Sequence, residues 1–253
     1  MARSLARPIF HWQPVAVVLG LLATIAVNIA ANTLPLNGQT TGAISDRYPL
    51  LITPPGYIFS IWGLIYVGLV GYAVYQSLPA QVNNLRLRSA APWFLLSCLG
   101  NIFWLFFWHY NLSPLSLPAM LTVLIGLVGV YLKLRGSGTP TLGERWLVQP
   151  TFSLYLGWIC VATLVNASVF LYDLGWRDTG NVGMISASVL LILAAGLSWW
   201  FARRWRDAVL PLVVAWAASG IAFKQAAMMP LATIAWIVVL VAFAASASTF
   251  FRR

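Results

Sequence analysis

Residues 115–134 read LSLPAMLTVLIGLVGVYLKL, a run of twenty whose only charged residue, Lys133, stands next to its end. A helix of about 20 apolar residues spans the roughly 30 Å hydrocarbon core of a bilayer. Seven more stretches of the same kind flank it, and together they predict crossings at about 14–32, 54–78, 91–111, 115–134, 146–171, 181–202, 208–226 and 230–250. The fold class expected is all-α, a polytopic integral membrane bundle of eight helices.

Composition leaves no water-soluble reading. Hydrophobic residues make up 60% of the 253 and charged residues 8%, against roughly 25% charged in an average globular domain. The net charge of +10 is spread over the connections between crossings, where orientation and anionic headgroups account for it. It does not form the one-sided basic face that a nucleic-acid partner needs. Membrane lipid is therefore the expected partner, and nucleic acid is not.

Sorting the connections by side fixes the orientation. Arg3, Arg7, Arg86, Arg88, Lys133, Arg135, Arg145, Arg203, Arg204, Arg206, Arg252 and Arg253 fall on one side, and Arg47, Arg177 and Lys224 on the other. Lys and Arg are retained on the cytoplasmic side during insertion, so both termini are expected there. The first crossing could be a cleaved signal sequence, but Asn32-Thr33-Leu34-Pro35 makes a poor cleavage site, and a retained helix is the reading adopted.

Prolines punctuate the same map. Pro54-Pro55, Pro114, Pro118 and Pro230 are expected in first turns, where a missing amide hydrogen costs little, and Pro150 and Pro211 near the start of their helices. The connection 32–53 is the exception to the short ones. It is long, polar and turn-rich, either a lid over a site or a loose connector.

Cys98 and Cys160 lie inside crossings without metal-ligand spacing and read as small apolar residues. The five acids, Asp46, Glu144, Asp173, Asp178 and Asp207, all fall in connections, so no carboxylate is placed for ion coupling or acid–base chemistry within the bundle. Lys224 lies near a helix end, where its stem can snorkel. His11 and His109 have no carboxylate close in sequence. No catalytic or metal site is expected, with His109 as a haem ligand the lesser reading. Gly68, Gly71, Ala215, Ser219 and Ala222 are the candidates for close helix contact.

Tryptophan is abundant, at 13 residues. Trp12, Trp93, Trp146, Trp199, Trp200 and Trp205 read as interfacial anchors at one surface, Trp108 and Trp176 at the other. Trp62, Trp104, Trp158, Trp216 and Trp236 fall inside crossings, where an indole N–H needs a partner or a wet cavity. Asn28, Asn101 and Asn166 lie about 6, 14 and 9 Å below the surface away from the cytosol, beneath the long connection. Interhelical hydrogen bonding explains any one amide. A shared depth points to an aromatic, amide-dotted pocket opening away from the cytosol.

Three motifs carry a family resemblance. The second crossing has Pro54-Pro55-Gly56-Tyr57-Ile58-Phe59-Ser60-Ile61-Trp62 with Tyr66; the third has Asn101-Ile102-Phe103-Trp104 with Phe106 and Phe107; the fifth has Tyr155-Leu156-Gly157-Trp158, Ala162-Thr163 and Asn166. The chain thereby resembles the TspO/MBR family of tryptophan-rich sensory or translocator proteins over roughly residues 14–173. Tyr57 stands where that family usually has Trp, Leu154 replaces a proline, and Phe170 replaces a Trp after the fifth-helix Asn. The last three crossings have no counterpart in the compact members.

The resemblance implies residues 1–173 as a five-helix TspO-like bundle and 174–253 as three helices packed on it. It also implies a homodimer, a bacterial inner membrane, and a non-covalently bound porphyrin or related tetrapyrrole as ligand. The ligand-binding set it implies is Tyr57, Phe59, Trp62, Tyr66, Asn101, Trp104, Tyr155, Trp158, Ala162 and Asn166. Arg47 is expected at the rim. A transporter of small hydrophobic solutes, or a tetrapyrrole-degrading activity, are the alternatives. Val169, Tyr172 and Arg177 match a loose sterol-contact pattern, though interfacial anchoring explains Tyr172 and Arg177 equally well.

Overall fold

The computed structural model describes residues 12–34, 36–136, 138–176 and 180–251. Arg3, Arg7, His11, Arg177, Asp178, Arg252 and Arg253 lie outside the described residues. Helix α1 covers Trp12–Thr33, α2 Thr41–Asp46, α3 Ile61–Ser77, α4 Leu85–His109, α5 Ser113–Arg135, α6 Gln149–Asp173, α7 Gly180–Trp205, α8 Val209–Lys224 and α9 Met229–Ser248. A 3₁₀ turn, Gly56–Ser60, leads into α3, and a π turn, Glu144–Val148, leads into α6. There is no strand among the described residues.

Every expected crossing is a helix. Seven are long and apolar enough to span a bilayer, and the eighth, Val209–Lys224, is a shorter apolar helix. At 16 residues it rises about 24 Å. Backbone groups satisfied within each segment are what lipid demands, so uniform apolarity becomes helix rather than buried strand. Pro55 precedes the 3₁₀ turn, and Pro114 and Pro230 occupy first turns. Pro118 sits a turn deeper than expected, inside α5, and Pro150 is absorbed just after the π turn. A wider turn removes the need for the amide hydrogen that proline lacks.

The packing order places α1, α4, α5, α6 and α3 in a closed ring, with α8 laid against α6 and joined by α7 and α9. Helices without an apolar stripe approach one another by removing side chains. A Cβ on Gly126 would lie 2.8 Å from Ser97 N and Trp93 O, and one on Gly100 would lie 2.9 Å from Val123 N. These glycines let α4 and α5 touch backbone to backbone. Gly68 and Gly71 face Thr151 and Leu147 of the α6 segment, and Ala215 and Ala222 are buried on α8. Ser219 is only half-buried and turns its hydroxyl to Trp216 O of its own helix.

The two ends of the bundle differ in their chemistry. At the basic end Arg86 donates to both oxygens of Glu144, at 3.0 and 2.6 Å, while Thr141 N and Asn84 Nδ2 donate to the same carboxylate. Asp207 accepts from Tyr131 Oη at 2.8 Å and from Arg135 Nη2 at 3.2 Å, and caps α8 by accepting from Val209 N and Leu210 N. Both acids are loop residues, as expected, yet their side chains are buried to 1% exposure. A buried carboxylate persists because its oxygens are fully engaged.

At the opposite end the long connection is structured. Thr40 caps α2 by accepting from Ala43 N, Asn37 Nδ2 donates to His109 O, and Trp108 Nε1 donates to Thr41 O at 3.2 Å. Arg47 donates to Asn111, and Tyr48 Oη donates to Asp173 at 3.4 Å. Burial and the Asp173 carboxylate push the Tyr48 phenol above its ordinary value. These ties make residues 36–53 a lid rather than a loose connector.

Candidate functional site

The lid covers a groove of about 720 Å³ between α1 and α3. Its walls include Asn28, Asn32, Thr40, Thr41, Asp46, Phe59, Trp62 and Tyr66. Pockets for small ligands commonly run from about 300 to 1,000 Å³, so the groove is of useful size. Next to it lies a small inner space of about 20 Å³ bounded by Phe59, Trp62, Trp104, Trp108, Trp158, Ala162 and Asn166. Phe59 and Trp62 line both, and so form the partition between groove and inner cavity.

Trp62 is the hub of the aromatic cluster. Its ring stacks on Tyr66 at 5.5 Å and on Trp104 at 6.4 Å, and meets Tyr155 and Trp158 edge-on at 5.7 and 6.4 Å. Phe59 meets Trp158 edge-on at 5.4 Å, and Trp104 stacks on Trp108 at 5.9 Å. Offset and edge-to-face pairs are the favoured geometries of aromatic rings and hold this wall in one arrangement.

The three amides divide into two groups. Asn28 Nδ2 donates to Asn101 Oδ1 at 2.8 Å, and Asn101 Nδ2 donates to Tyr155 Oη at 3.4 Å. This chain ties α1 to α4 and α6 below the groove. Asn166 instead accepts from Ser116 Oγ on α5 through Oδ1, at 3.1 Å, and its Nδ2 has no partner among the described residues. Tyr66 Oη, Trp104 Nε1 and Trp158 Nε1 are likewise buried and unpartnered. Leaving such a donor unmade costs about 1–3 kcal/mol; Tyr66 borders the groove, whereas Trp104, Trp158 and Asn166 border the inner cavity.

Of the expected binding residues, Phe59, Trp62, Tyr66, Trp104, Trp158, Ala162 and Asn166 line the groove or the inner cavity. Tyr155 backs Trp62, and Asn101 stands behind it as a strut between helices. Tyr57 turns away, more than half exposed and edge-on to Trp216 of α8. It falls in the 3₁₀ turn, whose tighter pitch rotates it off the face that Phe59 and Trp62 share.

Other expectations change in the structure. Trp108 is not a belt anchor: it is buried against Trp104 under the lid. Its neighbour His109 is fully buried with Nε2 at 3.2 Å from Thr41 Oγ1 and lines neither space, which removes it as a candidate haem ligand. Arg47 ties to Asn111, while Asp46 is the charged residue in the groove wall. Lys224 reaches Asp46 at 3.3 Å and Thr53 Oγ1 at 3.2 Å. Nothing local in the sequence announces these hydrogen bonds, since they join residues 64 to 178 positions apart.

Helix α8 braces the lid more widely. Gln225 Nε2 donates to Leu51 O, Trp216 Nε1 donates to Ile58 O, and Gly220 is packed so closely on Ile58 and Pro55 that a Cβ would lie 2.4 Å from Ile58 Cγ1. Both members of the Lys224–Asp46 pair are partly exposed, at 28% and 44%, so the pair contributes at most about 1 kcal/mol. Lys224→Met is accordingly expected to raise amide hydrogen exchange across residues 41–53 by up to about fivefold, with exchange in α4 and α6 unchanged.

Eight apolar helices with an aromatic space between their crossings define a polytopic helical membrane protein. The family model described as TSPO-like protein matches residues 14–248, and the chain belongs to that family. The match runs through the last three helices as well as the five-helix ring. Neither the curated proteins nor the solved structures give a match to this chain.

Proposed function

We propose that the groove beneath the lid binds a hydrophobic, planar ligand of the porphyrin or tetrapyrrole kind, held without covalent attachment. The observation that carries this reading is the groove's aromatic wall, Phe59, Trp62 and Tyr66, in which Tyr66 Oη is buried without a hydrogen-bond partner among the described residues. A flat ring system bearing hydrogen-bond acceptors satisfies both halves of that wall at once. Its faces pack on Trp62 and Phe59, and an acceptor on its edge relieves Tyr66 Oη.

The residues present fit such a group. Phe59, Trp62 and Tyr66 would hold it from the α3 side, and Asn28 and Asn32 from α1. Carboxylates on the ligand would compete with Asp46 for Lys224 at the lid. The bias of basic residues, twelve against three, sets the lid on the side away from the cytosol.

Tyr66→Phe tests this reading because it moves two quantities in opposite directions. Removing a buried hydroxyl that has no partner is expected to leave the fold as stable or up to about 1 kcal/mol more stable. Loss of the donor is expected to weaken protoporphyrin IX, followed by saturable quenching of Trp fluorescence, by about 3- to 10-fold. Quenching that does not saturate in the wild-type protein, or an unchanged Kd in the variant, counts against the assignment. A vesicle flux assay with the same porphyrin distinguishes binding alone from transport.

A further inference from the structure

A second and larger recess lies on the opposite half of the molecule, away from the lid. It is a lateral groove of about 810 Å³ between α4 and α5 at the basic end. Its apolar wall is formed by Trp93, Ile125, Val128 and Leu132, all exposed on the surface of the bundle, and its mouth by Arg86 and Lys133. We propose that this groove is a binding site for one anionic phospholipid of the cytoplasmic leaflet, with an acyl chain along the wall and the headgroup phosphate at Lys133.

The dimensions suit that occupant. From Ile125 to Lys133 the helix rises about 12 Å, close to the depth of one leaflet of a roughly 30 Å hydrocarbon core. The recess itself comes from a missing side chain. Trp93 lies flat on Gly129, where a Cβ would be 2.2 Å from the indole Cδ2. With its ring pressed inward, Trp93 hollows the surface instead of filling it. Its Nε1–H, near the basic end of α4, has no partner among the described residues.

Charge selects the headgroup. Lys133 is exposed and makes no ion pair among the described residues. Arg86 is held in place beside the mouth by Glu144 and by Thr139 O. Glu144 lies behind Arg86 with 1% of its side chain exposed, so the ammonium is the group a phosphate reaches first. A basic recess between transmembrane helices on the cytoplasmic side is the arrangement that binds acidic lipid headgroups, and each Lys or Arg near the surface adds about 1 kcal/mol, or about fivefold.

The test is native mass spectrometry of delipidated protein titrated with phosphatidylglycerol or phosphatidylcholine of identical acyl chains. The wild-type protein is expected to take up one phosphatidylglycerol at least about fivefold more tightly than phosphatidylcholine. Lys133→Glu, at an exposed and unpaired position, is expected to abolish that preference. Val128→Phe fills the wall and is expected to weaken both lipids. Arg88→Gln, directed to Gln13 of α1 rather than to the groove, is expected to keep the preference. No preference in the wild-type protein overturns the site. So does a preference that survives Lys133→Glu, or one lost equally in Arg88→Gln, which would assign it to bulk surface charge. Helical circular dichroism of each variant confirms that the comparison is between folded proteins.

Discussion

Glu144→Ala is expected to lower the unfolding free energy by about 3–5 kcal/mol, the loss that follows when one member of a buried ion pair is removed. The carboxylate receives four donors: Arg86 Nε and Nη2, Asn84 Nδ2 and Thr141 N. Without it the Arg86 guanidinium, whose side chain is only 14% exposed, keeps its charge and loses its carboxylate counter-charge. The same carboxylate fixes the turn between α5 and α6, where Tyr75 Oη and Thr141 Oγ1 meet at 2.7 Å.

Glu144→Gln separates the contributions. An isosteric amide can still accept from Thr141 N but no longer balances the guanidinium, so an intermediate loss is expected. The double variant Arg86→Leu with Glu144→Leu removes both charges and is expected to recover much of the stability, because an apolar pair of similar volume avoids desolvation altogether. Equilibrium unfolding in mixed micelles provides the comparison. A loss under about 1 kcal/mol for Glu144→Ala would mean that water reaches the pair and screens it.

Trp62→Ala is the second large effect, and it concerns the ligand. Trp62 touches Tyr66, Trp104, Tyr155 and Trp158 and separates the groove from the inner cavity. Truncating a central aromatic anchor costs 2 kcal/mol or more in binding, so protoporphyrin IX is expected to bind at least about 30-fold more weakly. Trp62→Phe keeps a flat ring and is expected to recover most of that loss. If Trp62→Ala binds as tightly as the wild type, the planar-ligand reading loses its stacking surface. Trp62 is half-buried, so the variant removes part of a wall rather than the centre of the core.

Much of the site was legible because it rests on residue type and depth. Trp62, Trp104, Trp158 and Asn166 could be placed by counting along helices of known rise and Phe59 by the family motif, and the structure gathers them around one space. Tyr57, which the resemblance put in the set, turns away because a 3₁₀ turn replaces the expected α-helical start at Gly56–Ser60. Asn101 is engaged by Asn28 and Tyr155 and lines neither the groove nor the inner cavity. Depth along a helix follows from the chain alone; rotation about the helix axis does not, when the helix is apolar all round and shows no stripe to orient it.

That distinction separates the two levels for the whole protein. Hydropathy and the sidedness of Lys and Arg are sums over neighbouring residues, and they predicted the eight apolar helices, an orientation for them, and the polar connection that became the lid. Contacts over long separations were decided by packing: Trp108 and His109 drawn under Thr41, Lys224 drawn to Asp46, and Glu144 buried against Arg86. The physical reason is that lipid penalises an unpaired polar group wherever it stands but does not name its partner. Only the closed arrangement of helices brings one particular donor within reach of one particular acceptor.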